Sequence, residues 1–253
     1  MTTLDISGLV MRFGGVTAVD GLTVRHDSGG VVGLIGPNGA GKTTVLNLLS
    51  GALRPTAGAI TLDGHRLDGL RPDRIARLGV ARTFQNLQTF ASLTVRENVL
   101  VPLAARAAAR PVVGLFALLA GRDAAAHRDR ADELLASVGL LDLADQRAGS
   151  LPYGLQRRLE VARALAGDPR LLLLDEPLAG LSRAESADLT ELFAEVASRG
   201  VTVLLVEHDV ASVLAVSQRV IVLDHGALLA DGPPAEVAAD PAVRAAYLGE
   251  PDE

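Results

Sequence analysis

The apolar residues of this chain fall into two kinds of run. Three runs are almost continuously apolar, namely VVGLIG at 31–36, LLLLD at 171–175 and VTVLLVE at 201–207. Strands of this kind are buried on both faces, which indicates a mostly parallel sheet covered by helices. The runs LDISGLVMRF, VTAVDGLTVRH and GAITLDG are broken by polar residues and glycine, and they predict an antiparallel β arm.

Helical spacing dominates the middle of the chain. Between 84 and 165, the stretches TVRENVLVPLAARAAA, DAAAHRDRADELLASVG and QRRLEVARALAG place apolar residues three or four positions apart. After residue 170 strands and helices alternate again. We therefore expect one α/β domain over 1–253, with a helical subdomain at 84–165 inserted into a core formed by 1–83 and 166–253. The last residues, AVRAAYLGEPDE, predict a short helix and a frayed acidic end.

Composition narrows the class of protein. The 253 residues carry a net charge of −6 and no cysteine. The negative charge argues against nucleic-acid binding and against electrostatic attachment to anionic lipid. The lack of cysteine excludes disulfides and thiolate metal sites. The longest apolar run, PVVGLFALLAG at 111–121, is too short to cross a bilayer, and the first residues lack a signal-peptide pattern. We expect a cytosolic protein that reaches a membrane only through a protein partner.

One glycine-rich stretch carries chemistry. GPNGAGKT at 36–43 satisfies the pattern GxxxxGK[ST] between an apolar strand and a helix. In such a loop backbone N–H groups and the helix N-terminus meet phosphate oxygens, and a threonine hydroxyl can ligate Mg²⁺. Lys42 is the only lysine of the chain, and a compact ammonium fits inside this loop where a guanidinium would not. A nucleotide site is predicted, and guanine recognition by an NKxD motif is excluded because no second lysine exists.

The ends of two other buried strands carry acidic residues and a histidine. LLLLDEP delivers Asp175, which suits Mg²⁺, and Glu176, which suits the polarising of an attacking water. VTVLLVEHD delivers Glu207, His208 and Asp209 in the same way. Because parallel strands present their carboxyl ends at one edge of the sheet, we expect these groups to meet the phosphate loop there.

The motifs together carry a family resemblance. In order and spacing, GPNGAGKTT, RTFQN, LPYGLQRRLEVARAL, LLLLDEP and EHD resemble the ATP-binding cassette (ABC) ATPases over nearly the whole chain. MRFGG, YGLQRRLE, GLFALL and AAYLGE resemble the ATPase subunits of branched-chain amino-acid importers. The resemblance implies an α/β fold with a P-loop (RecA-like) ABC ATPase core, a mostly parallel sheet, an antiparallel β arm and an inserted helical subdomain. It also implies ATP and Mg²⁺ as cofactors.

The resemblance assigns roles residue by residue. Phe13 would stack on adenine, Gln85 would link Mg²⁺ and the γ-phosphate to the helical subdomain, and His208 would contact the γ-phosphate. The catalytic residues would be Glu176, His208 and Gln85, and the metal ligands Thr43, Gln85 and Asp175. The residues expected to bind ATP are Phe13, then Gly36, Pro37, Asn38, Gly39, Ala40, Gly41, Lys42, Thr43 and Thr44, and the signature residues Leu151, Pro152, Tyr153, Gly154 and Leu155.

The signature segment departs from the family pattern. LPYGL occupies the position of LSGGQ, which in this family completes the site of the other protomer across a head-to-tail dimer. Pro152 stands where a serine would offer its hydroxyl, and Leu155 replaces a glutamine. Gly154 is kept, so backbone N–H groups of the following helix can still face a phosphate. One lost hydrogen bond to a charged group costs roughly 1.5–3 kcal/mol, which weakens closure without abolishing it. Ser182 also stands where the commoner loop ends in aspartate.

The function implied is an ATPase subunit, peripheral on the inner face of the cell membrane, that energises import of branched-chain or related amino acids. Its partners would be a second ABC ATPase subunit in a homo- or heterodimer, transmembrane permease subunits docking near FASLTVRENV (90–99), and indirectly an extracytoplasmic substrate-binding protein. Nucleic acid is not expected. The alternatives are another cargo (urea, amides or lipid), a weakly hydrolytic ATP-gated scaffold suggested by Pro152 and Leu155, and a soluble ABC ATPase of DNA maintenance or translation. The last is disfavoured by the single phosphate loop and the lack of a heptad run.

Overall fold

The computed structural model describes residues 2–83, 87–107 and 124–248. Their contacts divide the chain into two compact units. The first consists of Met1–Arg82, Arg170–Leu178 and Thr190–Glu253, and the second of Thr83–Pro169 and Ala179–Leu189. The domain limits expected from the sequence stay a prediction. The apolar run at 111–121 and the acidic end of the chain lie outside the described residues.

The regular elements follow one another as the apolar runs predict, with short elements added. In chain order they are β1 (Leu4–Phe13), β2 (Val16–His26), β3 (Gly30–Ile35), α1 (Lys42–Leu49), β4 (Ala57–Leu62), β5 (His65–Arg66), α2 (Pro72–Arg77), β6 (Val80–Arg82), α3 (Val95–Ala107), α4 (Ala124–Ser137), α5 (Tyr153–Leu165), β7 (Leu171–Asp175), α6 (Arg183–Ser198), β8 (Thr202–Val206), α7 (Val210–Val216), β9 (Arg219–Asp224), β10 (Ala227–Gly232), α8 (Pro234–Ala239) and α9 (Pro241–Leu248).

The first unit holds two sheets. The arm is a four-stranded antiparallel sheet in the order β2-β1-β4-β5, and the main sheet has six strands in the order β10-β9-β3-β8-β7-β6. In the main sheet only the β10–β9 pair is antiparallel. Every residue of β7 and of β8 is buried, as strands covered on both faces require. The mostly parallel sheet and the antiparallel arm are thus confirmed.

One strand of the main sheet escaped the sequence analysis. β6 (Val80–Arg82) has three residues and pairs in parallel with β7 at the edge of the sheet. Three residues are too few to display a periodicity, so the sequence pattern did not predict this strand. The strand matters because it ends at Arg82, whose side chain points into the site described below.

The second unit is built on three helices, α3, α4 and α5, which pack against one another. Its core includes Val99, Leu135 and Leu159, each fully shielded from solvent. On α5 the buried guanidinium of Arg157 pairs with the carboxylate of Glu160 at 3.0 Å, so neither charge is left unpaired. Across 2–83, 87–107 and 124–248, no helix is both long enough and apolar enough to span a membrane.

Candidate nucleotide-binding and catalytic site

Three neighbouring strands bring the candidate residues to one edge of the main sheet. β8 lies between β3 and β7, and its last residue, Val206, pairs with Leu34 on one side and with Asp175 on the other. The phosphate loop follows β3, Glu176 follows β7, and Glu207 and His208 follow β8. The carboxyl edge of the sheet therefore collects all three segments, which is where parallel α/β sheets bind ligands.

The phosphate loop needs its glycines for close backbone approach. At Gly36 (φ 153°) an added Cβ would lie 2.1 Å from the carbonyl oxygen of Leu223, and at Gly41 (φ 100°) it would lie 2.3 Å from that of Ala18. Side chains at these positions would collide with backbone that cannot yield. At Gly39 (φ 82°) an added Cβ would meet no neighbouring atom, so glycine is favoured there only because of the left-handed backbone conformation.

Lys42 is folded beneath the loop it follows. Its ammonium donates hydrogen bonds to the carbonyl oxygens of Gly36 at 2.6 Å and Pro37 at 2.9 Å. Burial lowers the pKa of Lys42, and the charge of Glu176 acts in the opposite direction. The hydrogen-bond acceptors of this buried ammonium are neutral carbonyl oxygens, so an anion beside it would stabilise the charge further.

The helix that follows the loop offers further donors. Gly41 is the N-cap of α1 and supplies no side-chain cap, so the first-turn N–H groups meet no side-chain acceptor from the cap. Thr43 in this first turn is exposed, whereas Thr44 is half-buried. Asn38 and Gly39 are exposed at the tip of the loop, and Ala40 is buried beneath it. The uncapped helix end with a cationic side chain beside it has the geometry and the charge that suit a phosphate group.

Glu176 and His208 meet at this edge. Nε2 of His208 lies 2.6 Å from Oε1 of Glu176. Glu176 has a left-handed backbone (φ 50°), and its N–H donates to the carbonyl of Val206 at 2.9 Å, which pins it to the strand that carries His208. The sequence predicted that both residues would lie at the carboxyl edge of the sheet, but it did not predict that they would be in direct contact.

Asp175 is held by an arginine that the sequence analysis did not single out. Nη2 of Arg82 donates to Oδ2 of Asp175 at 2.9 Å, and both side chains are over nine-tenths buried. The only sequence signal was the position of Arg82 three residues before Gln85 in the motif RTFQN. Gln85 itself, an expected catalytic residue and metal ligand, lies outside the described residues.

The three residues that follow β8, Glu207, His208 and Asp209, make different contacts. The carboxyl of Glu207 is buried and accepts the backbone N–H of Leu178 at 2.7 Å, and burial is the main cause that raises its pKa. Asp209 caps α7 by accepting the N–H of Ala211 at 3.1 Å. His208 and Asp209 are both exposed, and it is His208 whose imidazole reaches Glu176. Glu207 therefore ties the end of β8 to the segment that follows Glu176.

The aromatic residues Phe13 and Tyr247 have different surroundings. Phe13, at the end of β1, is 46% exposed, which leaves its ring available for stacking as the family resemblance implies. Tyr247 on α9 was not predicted: burial raises its pKa to about 12, while a hydrogen bond from the N–H of Gly36 acts in the opposite direction. The C-terminal helix thus touches the first residue of the phosphate loop.

The signature segment lies in the second unit. Pro152 is the N-cap of α5, and its side chain makes no capping hydrogen bond. It therefore does not replace the hydroxyl that a serine would supply at this position. Leu151 and Gly154 are buried, Leu155 is half-buried, and Tyr153 is exposed with its hydroxyl 3.3 Å from the carbonyl of Ala179. This segment therefore offers the backbone donors of a helix N-terminus, without the serine hydroxyl of the family pattern.

A carboxylate lies against the signature glycine. An added Cβ at Gly154 would lie 2.5 Å from Oε1 of Glu185. Glu185 is held in place by Ser182, whose N–H and hydroxyl donate to Oε2 at 2.9 and 2.6 Å. This is a capping box at the start of α6, and it gives Ser182 a structural role at the position where an aspartate is commoner.

The donor set suits magnesium better than a metal that needs a protein cage. Within the parts of the chain that the structure describes, no group of three or more His, Cys, Asp or Glu side chains could hold a metal ion. Mg²⁺ prefers oxygen donors, keeps several waters, and is bound through one or two protein oxygens together with substrate phosphates. Asp175 and the hydroxyl of Thr43 match that chemistry.

Two family models match this sequence. The model described as ABC transporter covers residues 19–179, which is more than half of the chain. The chain belongs to the ABC transporter family. A second model, described as branched-chain amino acid ATP-binding cassette transporter, covers residues 227–253.

Individual relatives agree with the family models. The high-affinity branched-chain amino acid transport ATP-binding protein BraF of Pseudomonas aeruginosa is 47% identical over 249 residues, 98% of each chain. The ADP conformation of MJ1267, an ATP-binding cassette of an ABC transporter, has a TM-score of 0.86 at 30% identity and matches 99% of this chain and 100% of its own. The dimeric post-hydrolysis state of the cassette MJ0796, bound to ADP and Pi, has a TM-score of 0.74 at 25% identity, over 91% of this chain and 98% of its own. The family, the subgroup and the fold expected from the motifs are confirmed.

Proposed function

We propose that this ABC protein is the ATP-hydrolysing subunit of a membrane importer for branched-chain amino acids. The observation that carries the chemistry is the contact between Glu176 and His208 at the strand edge that also carries the phosphate loop. The cargo is supported by BraF, a branched-chain amino acid transport protein, and by the branched-chain amino acid family model that matches residues 227–253.

The residues of the edge divide into those that bind and those that move a proton. Lys42 and the first-turn N–H groups of α1 bind the phosphates, and the glycine loop brings the backbone close to them. Asp175 and Thr43 would hold Mg²⁺ through their side-chain oxygens when MgATP is bound. Glu176 takes a proton from the attacking water, and His208 orients the carboxylate of Glu176 through the 2.6 Å contact. MgATP, when bound, supplies the electrophilic γ-phosphorus.

The site is completed by a second ATPase subunit. The signature residues of one protomer would face the nucleotide of the other in a head-to-tail dimer, as the family resemblance implies. The dimeric structure of the MJ0796 cassette supports assembly as a dimer. Pro152 removes a side-chain donor from one composite site, so a partner with a hydroxyl at that position would make the two sites unequal. A transmembrane permease would hold the pair at the inner face of the membrane and deliver cargo from an external binding protein.

Transport by the whole complex is the decisive experiment. The chain is co-expressed with its neighbouring permease and partner ATPase genes, purified as a complex and placed in proteoliposomes with the binding protein outside. We expect ATP inside the vesicles to drive uptake of leucine, isoleucine or valine, and Glu176→Gln in this chain to reduce that uptake strongly. Uptake of urea or amides instead, or outward movement of lipid, would replace the proposed cargo; the absence of any MgATP hydrolysis would overturn the function itself.

A further inference from the structure

Arg82 donates hydrogen bonds to Asp175, the carboxylate proposed to hold magnesium, and to two side chains at the end of α1. Nη2 donates to Oδ2 of Asp175 at 2.9 Å. Nη1 donates to Oδ1 of Asn47 at 2.7 Å and to the hydroxyl of Ser50 at 3.1 Å. The side chain of Arg82 is only 9% exposed and that of Asp175 only 7%, so water screens this pair weakly.

The position of the guanidinium is favourable for two electrostatic reasons. Asn47 lies in the last turn of α1 and Ser50 is its C-cap, so Arg82 sits at the negative end of the helix dipole. The carboxylate of Asp175 supplies a full opposite charge on the other side. A lysine could not reproduce this arrangement, because one ammonium lacks the planar fork that reaches three acceptors at fixed angles.

The same helix therefore serves both halves of the metal site. Thr43 is in the first turn of α1, and Asn47 and Ser50 at its other end hold Arg82, which holds Asp175. The bond from Arg82 engages Oδ2 of Asp175 and restricts the rotation of the carboxylate, so Oδ1 would be the oxygen offered to Mg²⁺ or its waters. We infer that Arg82 is a positioning residue that orients Asp175 for Mg²⁺, an inference that rests on the proposed function.

Magnesium dependence of nucleotide binding tests this inference without relying on turnover. Binding of a fluorescent ATP analogue to the full chain is measured in EDTA and across a Mg²⁺ titration, and Mn²⁺ binding to the ATP complex is followed by electron paramagnetic resonance. In Arg82→Met, binding in EDTA should match the wild type while the Mg²⁺ needed for half-maximal enhancement rises by about tenfold or more, the usual effect of removing a group that orients a metal ligand. Arg82→Lys, which keeps the charge and loses the fork, should shift it less.

Arg170→Met is the matched control. Arg170 also pairs with an aspartate, at 2.7 Å from Asp63, but its side chain is 57% exposed, and we expect the wild-type Mg²⁺ requirement in this variant. Should Arg82→Met fail to fold, judged by circular dichroism, Arg82→Lys carries the test. A wild-type Mg²⁺ requirement in the folded Arg82 variants overturns the inference and leaves the proposed function intact. Loss of Mg²⁺-enhanced binding in the wild type would instead overturn the proposed function.

Discussion

The imidazole of His208 and the carboxylate of Glu176 are 2.6 Å apart, although 32 positions separate them along the chain. The histidine side chain is 55% exposed and the glutamate side chain 14%, so the pair reaches from the sheet edge towards solvent. Glu176 keeps this position in a left-handed conformation, which costs a non-glycine residue about 1–3 kcal/mol. The sheet stabilises that conformation through the bond from Glu176 N–H to Val206.

Glu176→Gln should separate binding from hydrolysis. The amide keeps the size of the side chain but cannot take a proton from water, so we expect phosphate release to fall by about a hundredfold or more. ATP binding should persist, and a closed dimer should accumulate in light scattering with ATP. Glu195→Gln, at an exposed ion pair on α6, serves as the control with unchanged rates. Wild-type turnover by Glu176→Gln would remove Glu176 from its assigned role.

Lys42→Arg should impair nucleotide binding despite keeping the charge. The ammonium lies between two carbonyl oxygens at 2.6 and 2.9 Å, a space that a planar guanidinium cannot enter without opening the loop. Loss of charge-assisted bonds worth about 1.5–3 kcal/mol predicts ATP affinity lower by roughly ten- to a hundredfold in calorimetric titration. The opposite exchange at an exposed site, Arg199→Lys, should leave affinity unchanged. Equal affinity in Lys42→Arg would show that the loop tolerates the larger group.

Gly154→Ala tests whether the signature glycine serves the fold or the composite site. The new methyl group would displace the carboxylate of Glu185, 2.5 Å away and held by Ser182, which weakens the capping box of α6. Gly154 lies in helix α5, where alanine is favoured, and this gain acts in the opposite direction. We therefore expect the free energy of unfolding to change by less than about 1 kcal/mol, while ATPase activity of the assembled complex falls. Activity should stay low in Gly154→Ala combined with Glu185→Ala, where the obstruction is gone. Recovery in that double variant would assign the defect to Glu185 instead.

His26 should make folding sensitive to mild acid. It is buried beside an apolar cavity of about 20 Å³, and burial, followed by the charge of Arg219, lowers its pKa, whereas Asp27 and Asp231 act in the opposite direction. The unfolded chain therefore binds a proton near pH 6.5 that the folded chain refuses, so the free energy of unfolding decreases as pH falls below about 6.5.

Urea unfolding of the wild type and of His26→Leu at pH 7.5 and 5.5 measures this effect. We expect His26→Leu to lose less stability between the two pH values than the wild type does. His65→Gln, at an exposed position on β5, should behave as the wild type. An identical acid loss in His26→Leu would place the proton uptake elsewhere.

The sequence predicted those parts of the molecule whose signal is local. The continuous apolar runs of β7 and β8 indicate burial on both faces, and the glycine spacing around Lys42 indicates a loop against phosphate. These features need no knowledge of distant residues. The placement of Glu176 and His208 at one edge also followed, because the ends of parallel strands must coincide.

Contacts between distant residues were not predictable in this way. Arg82 reaches Asp175 because a three-residue strand places it there, and Tyr247 reaches Gly36 because α9 folds back. A three-residue strand is too short to show a periodic pattern of apolar residues, and a contact between distant residues produces no such pattern. The role of Glu207 was not predictable for another reason. Its place at a strand end beside His208 predicted that it would meet the phosphate loop, whereas its buried carboxyl accepts the N–H of Leu178.

Lys42 is the single lysine among the 253 residues, and every other basic side chain counted with it is an arginine. Reagents and enzymes that modify lysine therefore have one side-chain target in this chain, and it is the amine under the phosphate loop. Acylation there would remove the charge on which that loop closes, while the arginine surface would stay unmodified. Labelling of side-chain amines therefore reports on Lys42 alone, and bound nucleotide should shield its Nζ from the reagent. A lysine-specific protease should cut this chain only after residue 42.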